Sequence, residues 1–273
     1  MLEDLITYDS GVPGLELAKL IDLSVLFLFG MLRVGAFLMA APIFGARFIP
    51  LQVRIVASVI LTIPVIAYAE MPTIEALTSP AGVGMVIGEL ALGASAGLIL
   101  MIFFAAAVVA GDRIATTAGL GFAAQVDPAS GATAPVISQL FSLGLLVLFL
   151  SVDGHLTVLR LIFDSYIHIP PGTVFDFSGI AQAGIAAGGE MFAHAARLMM
   201  PVVSVLLLVN MGIGVMTRSA PQLNIFSFGF PLTLSVTMVL LYLGAPVLGL
   251  AMDKLIDAAI QALTLMMTGA ANG

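Results

Sequence analysis

Six long apolar runs constrain this chain more than any motif in it. They cover residues 23–44, 55–69, 83–110, 136–163, 191–217 and 225–252, the fourth broken by Asp153-Gly154-His155. A backbone wrapped in such side chains cannot turn to water for its N–H and C=O groups. It must satisfy them internally, and a helix is the form that does so within one segment. Hydrophobic residues make up 60% of the sequence and charged residues only 9%, against roughly 25% charged in a soluble domain. The expected fold class is therefore an all-α integral membrane protein of helical hairpins, with about six apolar segments.

The runs are uneven. At 1.5 Å per residue, residues 55–69 reach only ~22 Å and contain Pro64, whereas residues 83–110 reach ~42 Å, against a hydrocarbon core of ~30 Å. Broken and over-long helices fit better if many of their surfaces face other protein, whose groups satisfy the interrupted backbone. The glycine pairs Gly84/Gly88, Gly93/Gly97 and Gly184/Gly188 have the small-xxx-small spacing that lets helices approach closely, although such pairs also arise by chance among 28 glycines.

Between the third and fourth runs lies Gly119-Leu120-Gly121-Phe122-Ala123-Ala124-Gln125-Val126-Asp127-Pro128-Ala129-Ser130-Gly131. A simple connector would be polar. This one mixes apolar and small residues and reads as a non-helical loop folded into a confined space, lining or plugging a passage. By segment, the expectation is an acidic N-terminal stretch at 1–22, a membrane helical region at 23–189 with a central plug loop at 111–135, a C-terminal helical hairpin at 190–252 and a tail at 253–273. Glu3, Asp4, Asp9 and Glu16 without a basic region at the N-terminus do not match a cleavable signal peptide. If loops alternate sides, Arg47, Arg54, Arg113 and Arg218 collect on one side, with Glu70, Glu75, Asp164, Asp176 and most of the N-terminal acids on the other. The excess of basic residues in cytoplasmic loops then places the arginine side in the cytoplasm and both termini outside.

Most catalytic readings fail on context. A net charge of −7, with the basic residues scattered singly, excludes a nucleic-acid partner in practice, and the absence of cysteine excludes thiolate metal sites and disulfides. Neither Lys19 nor Lys254 follows a phosphate-cradling glycine loop. Glu190, His194 and Arg197 share a helical face, but the arginine repels a cation and no third ligand is evident, so a structural or solvated pairing is expected rather than a metal site. No cofactor is expected. Gly93-Ala94-Ser95-Ala96-Gly97 matches the nucleophile-elbow string, and an intramembrane protease is a distant reading, because Ser95 lies inside an apolar run rather than at a strand-to-helix turn.

Intramembrane charge is more informative. Arg33 sits near the middle of its run, and Glu89, Asp112 and Arg113 lie within or at the end of theirs. A central arginine costs at least ~2.5 kcal/mol to insert and should have a partner. Arg33 with Glu89 is the internal candidate; a contact to another subunit or a hydrated passage is the sharper one. Similar residues serve proton-coupled transport, which keeps a small-solute or ion-coupled secondary transporter as the alternative function. Near the C-terminus, Pro221 ends one helix, Asn224 can cap the next, and Phe226, Phe228 and Phe230 make the turn a docking surface or an interfacial anchor.

Several blocks together resemble one family. Arg33-Val34-Gly35 with Ala41-Pro42-Ile43-Phe44-Gly45-Ala46-Arg47-Phe48-Ile49-Pro50, the central Gly119-Leu120-Gly121-Phe122-Ala123 with Asp127-Pro128-Ala129-Ser130-Gly131, Gly154-His155 with Pro170-Pro171-Gly172, and Ala220-Pro221-Gln222-Leu223-Asn224-Ile225-Phe226 with Gly229-Phe230-Pro231 are similar in order and spacing to the FliR family of flagellar export gates and its virulence-type counterparts. The match runs over nearly the whole chain. It departs ahead of the central loop, where this chain has Ala115-Thr116-Thr117-Ala118. The resemblance implies a non-enzymatic pore component in the inner membrane at the flagellar basal body. It would assemble with FliP and FliQ into a helical hetero-oligomer, contact FlhB, lie near FlhA, and gate export of unfolded flagellar proteins. It also implies a plug at Gly119, Leu120, Gly121 and Phe122, continued to Asp127 and Pro128. A docking turn is expected at Arg218, Pro221, Gln222, Asn224, Phe226, Phe230 and Pro231.

Overall fold

A computed structural model describes residues 17–45, 49–120, 136–173, 177–220 and 228–271. The described residues form eight helices and no strand: α1 (Leu17–Ala40), α2 (Leu51–Tyr68), α3 (Ile74–Thr78), α4 (Pro80–Thr117), α5 (Val136–Ser151), α6 (Gly154–His168), α7 (Phe177–Ser219) and α8 (Phe230–Ala271). Five are long and apolar enough to cross a membrane, or six if the broken pair α5 and α6 counts as one span. Helix α4 has 38 residues, α7 has 43 and α8 has 42, so each runs to about 57–65 Å, well past a ~30 Å hydrocarbon core.

Helix ends follow local chemistry. Pro42 has no N–H to continue α1, and the turn after it closes with Gly45 N–H donating to Ala41 O at 2.7 Å. Thr73 caps α3 by accepting from the Ala76 N–H at 3.3 Å, with Glu75 in the first turn. The fourth apolar run breaks where the sequence marks it. Asp153 adopts φ +55°, and Gly154 starts α6 with its Cα against the Phe149 ring, where a side chain would collide.

Four segment limits drawn from the sequence do not coincide with helix ends: that between 22 and 23 falls inside α1 and the expected loop start at 111 falls inside α4. The limit between 189 and 190 falls inside α7, and that between 252 and 253 falls inside α8. Residues 181–189 are alanine- and glycine-rich, so mean hydropathy drops there while the alanines still favour helix. Asp253, Lys254 and Asp257 are charged without breaking the hydrogen-bond ladder. Pro201 and Pro246 likewise sit within helices, as membrane helices tolerate.

The chain divides into two compact units. Unit 1 comprises Met1–Leu98, Val158–Ala183 and Leu263–Gly273; its core includes Phe29, Val34, Phe37 and Leu38 of α1, Leu92 and Ala96 of α4, and Ile162 and Ile169. Here α1 packs along α2. It also crosses the first half of α4 so closely that a Cβ at Gly93 would run into the Arg33 carbonyl and one at Gly97 would lie 2.6 Å from Ala40 Cβ. Unit 2 comprises Ile99–Thr157 and Gly184–Ala262, with Phe103, Ile114, Leu145, Phe149, Leu198 and Leu206 buried at its centre. The other glycine pairs differ: a Cβ added at Gly84, Gly184 or Gly188 would meet no described residue within 4 Å.

Candidate functional site

Arg33 is wholly buried and Glu89 is 2% exposed, and the two form a bidentate pair within unit 1. Arg33 Nε donates to Glu89 Oε2 at 2.8 Å and Nη2 to Oε1 at 2.9 Å. Four of the five guanidinium N–H groups are used. Nη1 donates to the Ser165 hydroxyl oxygen at 3.0 Å, Nη2 to the Ile169 carbonyl at 3.0 Å, and the guanidinium carbon stands 4.2 Å from the Tyr166 ring centre. Ser165 passes its own proton to Ile162 O at 2.6 Å, and Glu89 Oε1 accepts from the Gly172 N–H at 3.1 Å. The Tyr166 hydroxyl bridges back to α1, donating to Gly30 O at 2.8 Å and accepting from the Val34 N–H at 3.3 Å.

The cluster explains how α6 can end where it does. Pro170 and Pro171 forbid continuation, which leaves the Ile169 carbonyl without a helical partner, and Arg33 supplies one. Gly172, at φ +84°, then turns the backbone so that its N–H reaches Glu89. Sequence reasoning identified the Arg33–Glu89 pair but missed Ser165, Tyr166, Ile169 and Gly172. Of these only the Pro-Pro-Gly string carried a signal. Each charge is taken up by the other and by hydrogen bonds within unit 1, so the transporter alternative gains nothing from the pair.

The second feature lies in unit 2 at the end of α4. Leu120 N–H donates to Ala115 O at 2.9 Å and Gly119 N–H to Thr116 O at 3.1 Å, with Gly119 at φ +87°. This is a Schellman ending with glycine in the left-handed position. The next two carbonyls are met from elsewhere: Asn210 Nδ2 donates to Thr117 O at 3.0 Å, and the Thr233 hydroxyl donates to Ala118 O at 3.0 Å. Sequence reasoning did not single out Asn210 or Thr233; their only signal was a lone polar residue in an apolar run. Of the expected plug residues, Gly119 and Leu120 are at this helix end, and Gly121, Phe122, Asp127 and Pro128 lie outside the described residues.

The other expected residues scatter. On the last turns of α4, Asp112 is half-buried and Arg113 exposed, and neither forms an ion pair with a described residue. Arg218 and Pro231 are exposed, Phe228 is 40% exposed and Phe230 is half-buried, while Pro221, Gln222, Asn224 and Phe226 fall outside the described residues. Arg47 and Asp176 do too. Ser95 is held inside α4 with its hydroxyl donating to Leu92 O at 2.9 Å, far from an elbow geometry. His194 is buried edge-on to Phe103 with Glu190 Oε2 3.8 Å from its Nε2, and no group of three ligand-type residues gathers among the described residues.

Comparison with known proteins gives a consistent match. Residues 24–259 match the family model described as bacterial export proteins, family 1. The chain is 34% identical to the flagellar biosynthetic protein FliR of Pectobacterium carotovorum subsp. carotovorum, over 81% of this chain and 85% of that one. It is 33% identical to FliR of Escherichia coli K12, covering 79% and 82%, and 30% identical to FliR of Bacillus subtilis 168, covering 82% and 87%.

Proposed function

This chain belongs to family 1 of the bacterial export proteins, and from that membership we propose that it is a non-enzymatic channel subunit of the flagellar type III export gate, passing unfolded flagellar proteins across the inner membrane. The FliR relatives carry the flagellar part of the reading. The end of α4 carries the channel part: an apolar helix of spanning length stops at Gly119, and its terminal carbonyls are satisfied by Asn210 and Thr233 rather than left for water. Non-helical backbone at membrane depth is tolerated where protein or a cavity satisfies it. Gly119, Leu120, Gly121 and Phe122, with Asp127 and Pro128 beyond them, form the plug. Apolar side chains between glycines close a pore by contact and can be moved aside.

The subunit works in a hetero-oligomer with FliP- and FliQ-type subunits, contacts an FlhB-type subunit and lies near an FlhA-type component. The many exposed apolar side chains, Ile60, Leu143 and Leu208 among them, support burial against lipid or partner helices. Arginine-bearing loops face the cytoplasm. The turn at 218–231 docks a partner there through its aromatic residues, with the exposed Arg218, Phe228 and Pro231 as support.

Deleting residues 119–122 tests the plug. Cells making the complete complex should leak ions and small dyes, and wild-type conductance in an assembled complex rules the plug out. Docking is tested by Phe226→Asp with Phe230→Asp, which should abolish motility while the protein still inserts; normal motility removes the role. Ser219→Cys, in a chain without cysteine, reports the side by labelling with an impermeant thiol reagent.

A further inference from the structure

A helix leaves its last carbonyls without intrahelical partners. Here the Schellman turn satisfies Ala115 and Thr116 and stops there. Among the described residues, Thr117 O and Ala118 O are each met by one side-chain donor, Asn210 from α7 and Thr233 from α8. Neither donor is charged, and each belongs to a helix remote in sequence from α4.

Thr233 has a second option. Its single hydroxyl proton faces two acceptors, Ala118 O and Phe230 O, both at 3.0 Å, the latter within its own helix. When Ala118 moves away, the proton turns to Phe230 O and no buried donor is stranded. Asn210 is half-buried, and its amide bond to Thr117 O is likewise uncharged. Releasing the two bonds strands two carbonyl acceptors but no charge, a smaller loss than breaking a buried ion pair.

We propose that Asn210 and Thr233 are positioning residues of the export passage: they fix the last turn of α4, and with it the direction in which Gly119 and Leu120 leave the helix, by neutral hydrogen bonds from α7 and α8. The inference rests on the reading of the chain after Gly119 as the closure of that passage. It assigns no part of the closure itself to Asn210 or Thr233.

The test uses Leu120→Cys in the otherwise cysteine-free chain, assembled in membranes with the whole complex, and follows labelling by a small neutral maleimide. Thr233→Val keeps the shape and removes the hydroxyl, and Asn210→Leu removes the amide. Each should speed labelling about threefold to twentyfold, the range expected for single hydrogen bonds between membrane helices. Thr233→Ser, which keeps the hydroxyl, should return the parent rate. A parent rate in either accumulated variant removes that residue from the assignment, and Thr233→Ser labelling as fast as Thr233→Val shows that packing, not the bond, is responsible. If Thr233→Val does not accumulate, Asn210→Leu decides alone. Faster labelling combined with no leak on deleting residues 119–122 refutes the plug and leaves the positioning role standing.

Discussion

Two helices in this protein end with the same problem and solve it with bonds of different strength. In unit 1 the carbonyl at the end of α6 is met by Arg33, which is itself locked to Glu89; in unit 2 the carbonyls at the end of α4 are met by the neutral Asn210 and Thr233. Hydrogen bonds involving a charged group are worth about 1.5–3 kcal/mol and neutral ones about 0.5–1.5 kcal/mol. The charged solution also cannot be taken apart piecemeal, because removing either partner strands the other in a dry interior. The comparison separates a fixed joint from a releasable one.

Arg33→Ala probes the fixed joint hardest. It leaves the Glu89 carboxylate with the Gly172 N–H alone and deprives Ser165 and Ile169 of a donor, costing about 3–5 kcal/mol. The yield of this protein in the purified export complex should collapse, and a normal yield would break the comparison. Arg33→Met combined with Glu89→Leu should restore much of it, since an apolar pair strands no charge. Exchanging the charges, with Arg33→Glu and Glu89→Arg, should restore less. The sequence alone makes that exchange look like a natural rescue, but the geometry opposes it: a carboxylate would face Ile169 O and a guanidinium the Gly172 N–H.

Glycine substitutions sharpen the contrast. At Gly172, φ +84° and a Cβ position 3.2 Å from Met85 Sδ make Gly172→Ala cost about 1–2 kcal/mol, read as a lower melting temperature of the purified complex. Gly119 has nearly the same backbone, φ +87°, yet Gly119→Asn should cost less than about 1 kcal/mol because asparagine tolerates the left-handed region. Assembly and motility should survive it. Loss of assembly there would make the α4 end as rigid as the α6 end.

What the sequence disclosed follows from where its signals are strong. Apolar runs announced the helices, the Asp153-Gly154 interruption announced the break, and the cost of a mid-run arginine announced a carboxylate partner. Backbone acceptors such as Ile169 O, Thr117 O and Ala118 O have no residue signature, so the donors that serve them were invisible. Asn210 and Thr233 look like any polar residue in an apolar run until the opposing carbonyl is known. Segment limits set at low-hydropathy stretches fall inside helices because hydropathy reports surroundings, whereas alanine-rich and mildly charged stretches keep the helical ladder intact.

The dependence of Arg33 on partners far along the chain has a consequence for synthesis. Its carboxylate partner is made 56 residues later and the carbonyl it caps 136 residues later. At about 5–20 residues per second the guanidinium waits roughly 3–11 s for Glu89 and roughly 7–27 s for Ile169. During that interval α1 carries an unmatched cation that resists release into lipid. The first described helix therefore has its charge matched only after residues far along the chain are made, and a nascent chain that stalls before Glu89 is left with that charge unmet.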